Sequence, residues 1–262
     1  MPRAILRYHV GYVGTSLHLE QMQKLLIPTD QGFLINIMLQ RTGYLIEQGF
    51  GSLISDWTSS GDVSGFSKLA KNPEFVSSFL EYTLKTAEED ARGILNSTIK
   101  HGGKNTESIA SIGCGNGFVE LYLAKLMKPK ILYLIDIEET PGKHHHGINI
   151  EGAGYSNLSE TKKFLEANFE HPPIIVLINP QKYSLPAIKA QLIVSILSAG
   201  FHYPINSYSK FIMNSLDSNG ILIFDQRFNA GEAFNFSPAY LKQMEPCFVH
   251  KNIFSRSLYQ RI

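Results

Sequence analysis

Three glycines and one carboxylate carry the clearest chemical signal in this sequence. They are Gly113, Gly115 and Gly117, within the run Gly113-Cys114-Gly115-Asn116-Gly117, and Asp136 downstream. Glycines at alternate positions let a chain turn sharply and approach a ligand with its backbone, where a β-carbon would collide. A helix starting behind such a turn presents N–H groups that have no intrahelical partner. A carboxylate beyond a neighbouring strand can accept hydrogen bonds from both hydroxyls of a ribose. These are the parts of a nucleoside or nucleotide site.

The elements around them fit that reading. An apolar strand over Ile109–Ile112 leads into the turn. A helical segment follows, carrying Phe118, Val119, Leu121, Tyr122, Leu123, Ala124 and Leu126 on or near its buried face, and a second strand, Ile131–Ile135, ends at Asp136. Strand, turn, helix, strand and acid make a βαβ unit. A dinucleotide fold needs G-x-G-x-x-G, its third glycine packing helix on strand beside a pyrophosphate. Here the spacing is G-x-G-x-G and Phe118 fills the place of that third glycine, which disfavours a nicotinamide-dependent oxidoreductase.

The run Ser111–Gly117 with Asp136 resembles motif I of the class I S-adenosylmethionine-dependent methyltransferases, and the likeness extends from about Ser108 to the C-terminus. It implies an α/β, Rossmann-like sheet of seven mostly parallel strands, helices on both faces and an antiparallel final hairpin. The implied cofactor is S-adenosyl-L-methionine. The residues that would touch it are Ser111, Gly113, Cys114, Gly115, Gly117, Asp136, Ile137, Asn179 and Ser195. One departure stands out, because many members carry an acid two residues before the first glycine and this chain has Ser111.

Further strands are expected at Ile174–Ile178, Gln191–Leu197 and Ile221–Phe224. Helices are expected at Ser159–Phe169, Ser207–Leu216 and near Pro238–Met244, with a turn at Asp217–Gly220. The runs Phe248–Phe254 and Ser257–Arg261 supply the closing hairpin. Asn179-Pro180-Gln181-Lys182-Tyr183 looks like the N-P-P-Y motif of amino-methylating nucleic-acid methyltransferases, which follows the fourth strand. Taking it so would leave Gln191–Leu197 as a spare strand, so Asn179 is placed after the third strand, where the family contacts adenine.

Methyl transfer is an in-line displacement at a sulfonium carbon and is chiefly an orientation task. For a hydroxyl acceptor a base near the methyl helps, and the loop after the fourth strand offers His202, which titrates near neutrality, beside Tyr203. The plainer alternative is that both hold the loop. After Asp136 the chain runs through Pro141, several glycines and His144-His145-His146. Adjacent residues point in alternate directions and no partner set with zinc spacing occurs, so no metal is expected. This insert is expected over the ribose and the pocket mouth, with Tyr155 in reach of a ligand; the alternative is a solvated loop.

Residues 1–105 read as a helical cap or lid on the core at residues 106–262, the alternatives being a packing layer or a dimer surface. Helices are expected at Leu17–Leu26, Gly32–Gln48 and Phe75–Ile99, with Asp30 and Asn72-Pro73 opening the last two. A stretch rich in Ser, Gly and Asp between them, holding the single tryptophan, Trp57, reads as a loop.

The 262 residues suit one domain with a sizeable cap. A formal charge of +1, from 24 basic and 23 acidic residues, lacks the basic footprint of a nucleic-acid binder. No signal peptide or membrane span is evident, and two cysteines suit a reducing compartment. The expectation is a cytoplasmic enzyme that methylates a small-molecule hydroxyl or amine, without nucleic-acid or membrane partners. A nucleic-acid or protein methyltransferase, or a non-catalytic partner subunit with a cofactor fold, remain as alternatives.

Overall fold

The computed structural model describes residues 25–103, 105–140, 144, 149, 152–228, 240–244, 248–250 and 254–262, the backbone alone at 248–250. The expected helix at Leu17–Leu26 lies almost wholly outside these residues, as do Tyr8, His9, His145, His146 and Cys247.

Strand side chains alternate between the two faces of a sheet, so a sheet covered on both sides reads as a near-continuous apolar run. That is the pattern of β1 (Ser108–Ile112), β2 (Ile131–Ile135), β3 (Ile174–Ile178), β4 (Ala190–Ser195) and β5 (Leu216–Arg227). Ile109, Leu132, Leu192 and Ile221 face one apolar core, while Ala110, Ile193 and Leu222, each one residue on, face a second core. The strand order is β3-β2-β1-β4-β5-β8-β6, where β6 is Leu241–Gln243 and β8 is Phe254–Arg261. β1 to β5 pair in parallel and β8 runs antiparallel to β5. β7 (Phe248–His250) also pairs with β8, beside Phe254–Arg256, while β6 lies beside Tyr259–Arg261. β6 and β7 therefore form one interrupted edge strand, and the sheet has the seven positions expected.

The first face is covered by α1 (Gln31–Gln40), α3 (Gly51–Ser60), α5 (Pro73–Lys100), α6 (Phe118–Met127) and α7 (Leu158–Ala167), with the short α2 (Thr42–Glu47) and α4 (Ser64–Leu69). The second face carries a 3-10 turn at Ile205–Tyr208 and α8 (Ser209–Ser215). Caps are where the residue types place them. The Asp30 side chain accepts from Phe33 N, and that of Asn72 accepts from Glu74 N and Phe75 N ahead of Pro73. Phe33, Phe118 and Phe164 meet with ring centroids 4.9–6.3 Å apart and lock α1, α6 and α7 together. At the other end of α1, Gln40 meets the glycine turn at Asn116.

Four local expectations need correction. The stretch around Trp57 is not a loop. Leu53, Ile54 and Trp57 share one helix face, Trp57 is 1% exposed, and the serine and threonine hydroxyls bond back onto the helix, Thr58 to Ile54 O and Ser60 to Asp56 O. Asp62 then opens α4 by accepting from Ser64 N. The single helix expected over Gly32–Gln48 is broken at Arg41, whose φ of −120° and ψ of 40° end α1 and begin α2. Asp217–Gly220 lies inside β5 as an irregularity, since Leu216 pairs with Ala190 but Ile221 pairs with Leu192. Leu241–Gln243 is a strand rather than part of a helix, because its backbone pairs with β8 and only Leu241 turns inward.

Candidate functional site

The strand order reverses at β1, with β2 and β3 on one side and β4 and β5 on the other. A cleft opens above the carboxyl ends of the strands at that point, where open α/β sheets hold ligands. Gly113 ends β1 with φ of 73° and donates its N–H to Ile135 O at 2.7 Å. A β-carbon there would strike Ser198 Oγ, so the turn and the loop after β4 touch only because this residue is glycine. At Gly115, with φ of 55°, a β-carbon would strike the Gln40 carboxamide. Gly117 caps α6, and Thr161 Oγ1 donates to Gly115 O at 2.9 Å, fastening the turn to α7.

Asp136 follows β2 and is held from both sides. Gly115 N donates to Oδ2 at 2.7 Å and Ile137 N donates to Oδ1 at 2.8 Å. Burial raises its carboxyl to about 6, against the lowering effect of those two N–H groups. Each oxygen accepts one of these bonds and has the capacity for another.

The roof comes from the N-terminal helices and the insert after Asp136. The Gln40 carboxamide donates to Tyr155 O at 2.8 Å and to Asn116 Oδ1, and accepts from Asn116 N at 3.1 Å. Trp57 packs against Tyr155 at 5.1 Å and against His144 at 4.8 Å, centroid to centroid. Trp57 and Tyr155 line the cleft, so a helix of the N-terminal region and the insert meet over its mouth.

The loop after β4 forms the opposite wall with Leu197, Ser198, His202 and Tyr203. The Tyr203 hydroxyl lies 3.1 Å from Ser198 Oγ, and burial pushes the phenol well above its ordinary range. It therefore keeps its proton at neutral pH. His202 is fixed through its backbone, its N–H donating to Ser198 O and its O accepting from Asn149 N, both at 2.8 Å. Leu197 has φ of 49°, a costly conformation for a branched side chain, and its N–H donates to Asp225 Oδ2 at 3.0 Å.

Gly113, Cys114, Gly115, Asp136, His202 and Tyr203 all border the cleft. Burial raises the Cys114 thiol well above its usual range, which suits packing rather than nucleophilic chemistry. Ser111 lies behind the turn, 2% exposed, with Oγ donating to Glu120 Oε1 at 2.5 Å. Ser195 is fully buried and donates to Ala199 O at 3.2 Å, while Ile137 enters chiefly through the N–H it gives to Asp136. Asn179 follows β3, the third strand of the sheet, and not the fourth. Its Nδ2 donates to Glu138 Oε2 at 2.8 Å, and Lys182 Nζ reaches the same oxygen at 2.8 Å. Gln181 Oε1 accepts from Glu138 N and Glu139 N. The Asn-Pro-Gln-Lys run thus ties the loop after β3 to the loop after β2. Glu120, Gln40 and Arg41 also border the cleft and were not among the expected site residues.

A parallel sheet reversing at β1, a glycine turn closing β1, an acid closing β2 and an antiparallel strand beside β5 occur together here. This is the arrangement that the resemblance to the class I methyltransferases implies. No protein-family model matches the sequence, and no curated protein matches it. Solved structures to which the chain is similar include the magnesium protoporphyrin IX methyltransferase of Synechocystis PCC 6803 with bound SAM. That likeness has 12% identity, 81% of this chain, 96% of that one and a TM-score of 0.46. The N-methyltransferase NodS of Bradyrhizobium japonicum WM9, in complex with S-adenosyl-L-homocysteine, is 16% identical over 66% of this chain and 87% of that one, with a TM-score of 0.44. TYW2 of M. jannaschii, in complex with AdoMet, is 13% identical over 64% of this chain and 75% of that one, with a TM-score of 0.40.

Proposed function

We propose that this protein binds S-adenosyl-L-methionine in the cleft and transfers its methyl group to a small-molecule hydroxyl or amine. The observation that carries this reading is the meeting of the glycine turn with the Asp136 carboxylate at the border of one cleft. The ribose hydroxyls would bond to Asp136, and the sulfonium would lie toward the wall formed by His202 and Tyr203. Methyl transfer then needs only an acceptor held in line, with water kept out. The N-terminal helices act as the lid in this scheme, since Gln40 and Trp57 reach the cleft from α1 and α3. The roof of Trp57 and Tyr155 supports a flat or ring-shaped acceptor. The formal charge of +1 supports a small molecule over a nucleic acid. A free, buried Cys114 fits a reducing compartment such as the cytoplasm.

Calorimetry with the full chain tests the reading. S-adenosylmethionine and S-adenosylhomocysteine are expected to bind and NADH is not. Asp136→Ala should weaken binding by roughly 1.5–3 kcal/mol, the range for hydrogen bonds to a charged group. Undiminished affinity would count against the site. Acidification gives a second readout. Protonating Asp136, whose carboxyl is raised to about 6, removes acceptor positions that the ribose needs, so affinity should fall as the pH drops from 7 to 5. Glu120, raised to about 7 by burial, takes up its proton over the same range and in the same direction. A flat profile would contradict the assignment of Asp136.

A further inference from the structure

Arg41, Glu120 and Asp136 border the cleft with charged side chains. Asp136 is engaged with the glycine turn and stands where a ribose would lie. Glu120 and Arg41, of opposite sign, have no part in the scheme so far. Glu120 projects from the first turn of α6 and is 3% exposed. Among the described residues its side chain has one hydrogen-bond partner, Ser111 at 2.5 Å, and no ion-pair partner. A buried carboxylate without a counter-ion is expensive, and such groups are kept where a ligand supplies the missing charge. Burial raises the carboxyl to about 7, with Asp136 adding to the rise, while Ser111 and the positive charge of Arg41 oppose it. Arg41 sits at the break between α1 and α2 and borders the cleft.

We propose that Glu120 and Arg41 hold the amino-acid end of the bound cofactor, Glu120 receiving the α-ammonium and Arg41 the α-carboxylate. This rests on the S-adenosylmethionine reading and deepens it. It also gives Ser111 a role, since a hydroxyl in place of an acid on β1 leaves room for the Glu120 carboxylate and donates to one of its oxygens, aiming the other at the ligand. Ser111 is then a positioning residue. Opposite charges either side of the turn select a zwitterion, and a nucleoside lacking the amino-acid portion gains nothing from them.

The test compares S-adenosylhomocysteine with 5′-methylthioadenosine, which keeps adenosine and thioether but has no amino acid. In calorimetry on the full chain, Glu120→Gln should lower affinity for S-adenosylhomocysteine roughly 10- to 100-fold, the size of a lost charged hydrogen bond. Affinity for 5′-methylthioadenosine should stay unchanged. Gln is isosteric and can still meet the Ser111 hydroxyl. Arg41→Met, at a half-buried position, repeats the test should the first variant fail to fold. Moving the acid back, Ser111→Asp on the Glu120→Gln background, should recover part of the lost affinity. A folded variant that binds S-adenosylhomocysteine as the parent does, or loses both ligands equally, overturns the pair. A parent protein that binds neither nucleoside overturns the S-adenosylmethionine reading instead.

Discussion

Arg256→Ala is expected to cost about 3–5 kcal/mol of folding stability, as removing one partner of a buried ion pair generally does. The guanidinium of Arg256 lies within the fold, on β8. Its Nε donates to Asp225 Oδ1 at 2.7 Å, its Nη2 to Asp225 Oδ2 at 3.0 Å and its Nη1 to Asp90 Oδ1 at 2.8 Å. Asp225 is fully buried, so truncating Arg256 strands a carboxylate rather than returning it to water. The pH dependence follows from the sign of that change. Without its counter-ion, Asp225 has a folded-state pKa above its unfolded value, so the folded state binds the extra proton. Stability then falls as pH rises, and the loss should be larger at pH 7 than at pH 5. Urea unfolding at the two pH values reads this directly. A loss below about 1 kcal/mol, typical of an exposed pair, would mean that the network is solvated. The consequence reaches the cleft, because Asp225 also holds Leu197 in its positive-φ conformation and Asp90 ties α5 to the sheet. A weaker network should therefore loosen the wall that carries His202.

The sheet was legible because each parallel strand is a short apolar run bounded by turn residues. β2 and β3 occupy the expected residues, and β1 and β4 differ by a residue or two at their ends. The glycine turn and Asp136 were legible because their chemistry is local to one βαβ unit. The charged surroundings were not. Gln40 reaches Asn116 across a sequence separation of 76 and Arg256 reaches Asp90 across 166, and no local period encodes such pairs. The Ser111–Glu120 bond spans nine residues, and its signal was present in the sequence: an acid absent from the strand with one available in the first turn of the next helix. Trp57 was misplaced because polar residues on the outer face of α3 obscured the Leu53, Ile54 and Trp57 stripe. Their hydroxyls satisfy themselves on the helix backbone, which composition alone does not reveal.

His202→Asn is expected to lower turnover by about 10²-fold or more while leaving cofactor affinity nearly unchanged, the usual size of a lost general base. Three observations favour His202 over its neighbour. Tyr203 is held protonated by burial and lies within hydrogen-bond distance of Ser198, so it can orient an acceptor but not take its proton. The His202 backbone is fixed on both sides, by Ser198 and by Asn149, and its side chain borders the cleft. Phe201 packs edge-on against the imidazole at 4.8 Å, which limits the directions it can take. Tyr203→Phe should then cost about 1 kcal/mol in transition-state stabilisation, the worth of one neutral hydrogen bond. The two substitutions differ in pH behaviour as well as size. Loss of the imidazole should remove the neutral-range limb from the rate profile, whereas loss of the phenol should leave it in place. The readout is kcat against pH with the acceptor identified by turnover screening. Should His202→Asn keep both its rate and its neutral-range limb, the imidazole is a loop support. Tyr203, Tyr155 or a residue of the N-terminal helices bordering the cleft then becomes the better candidate for orienting the acceptor.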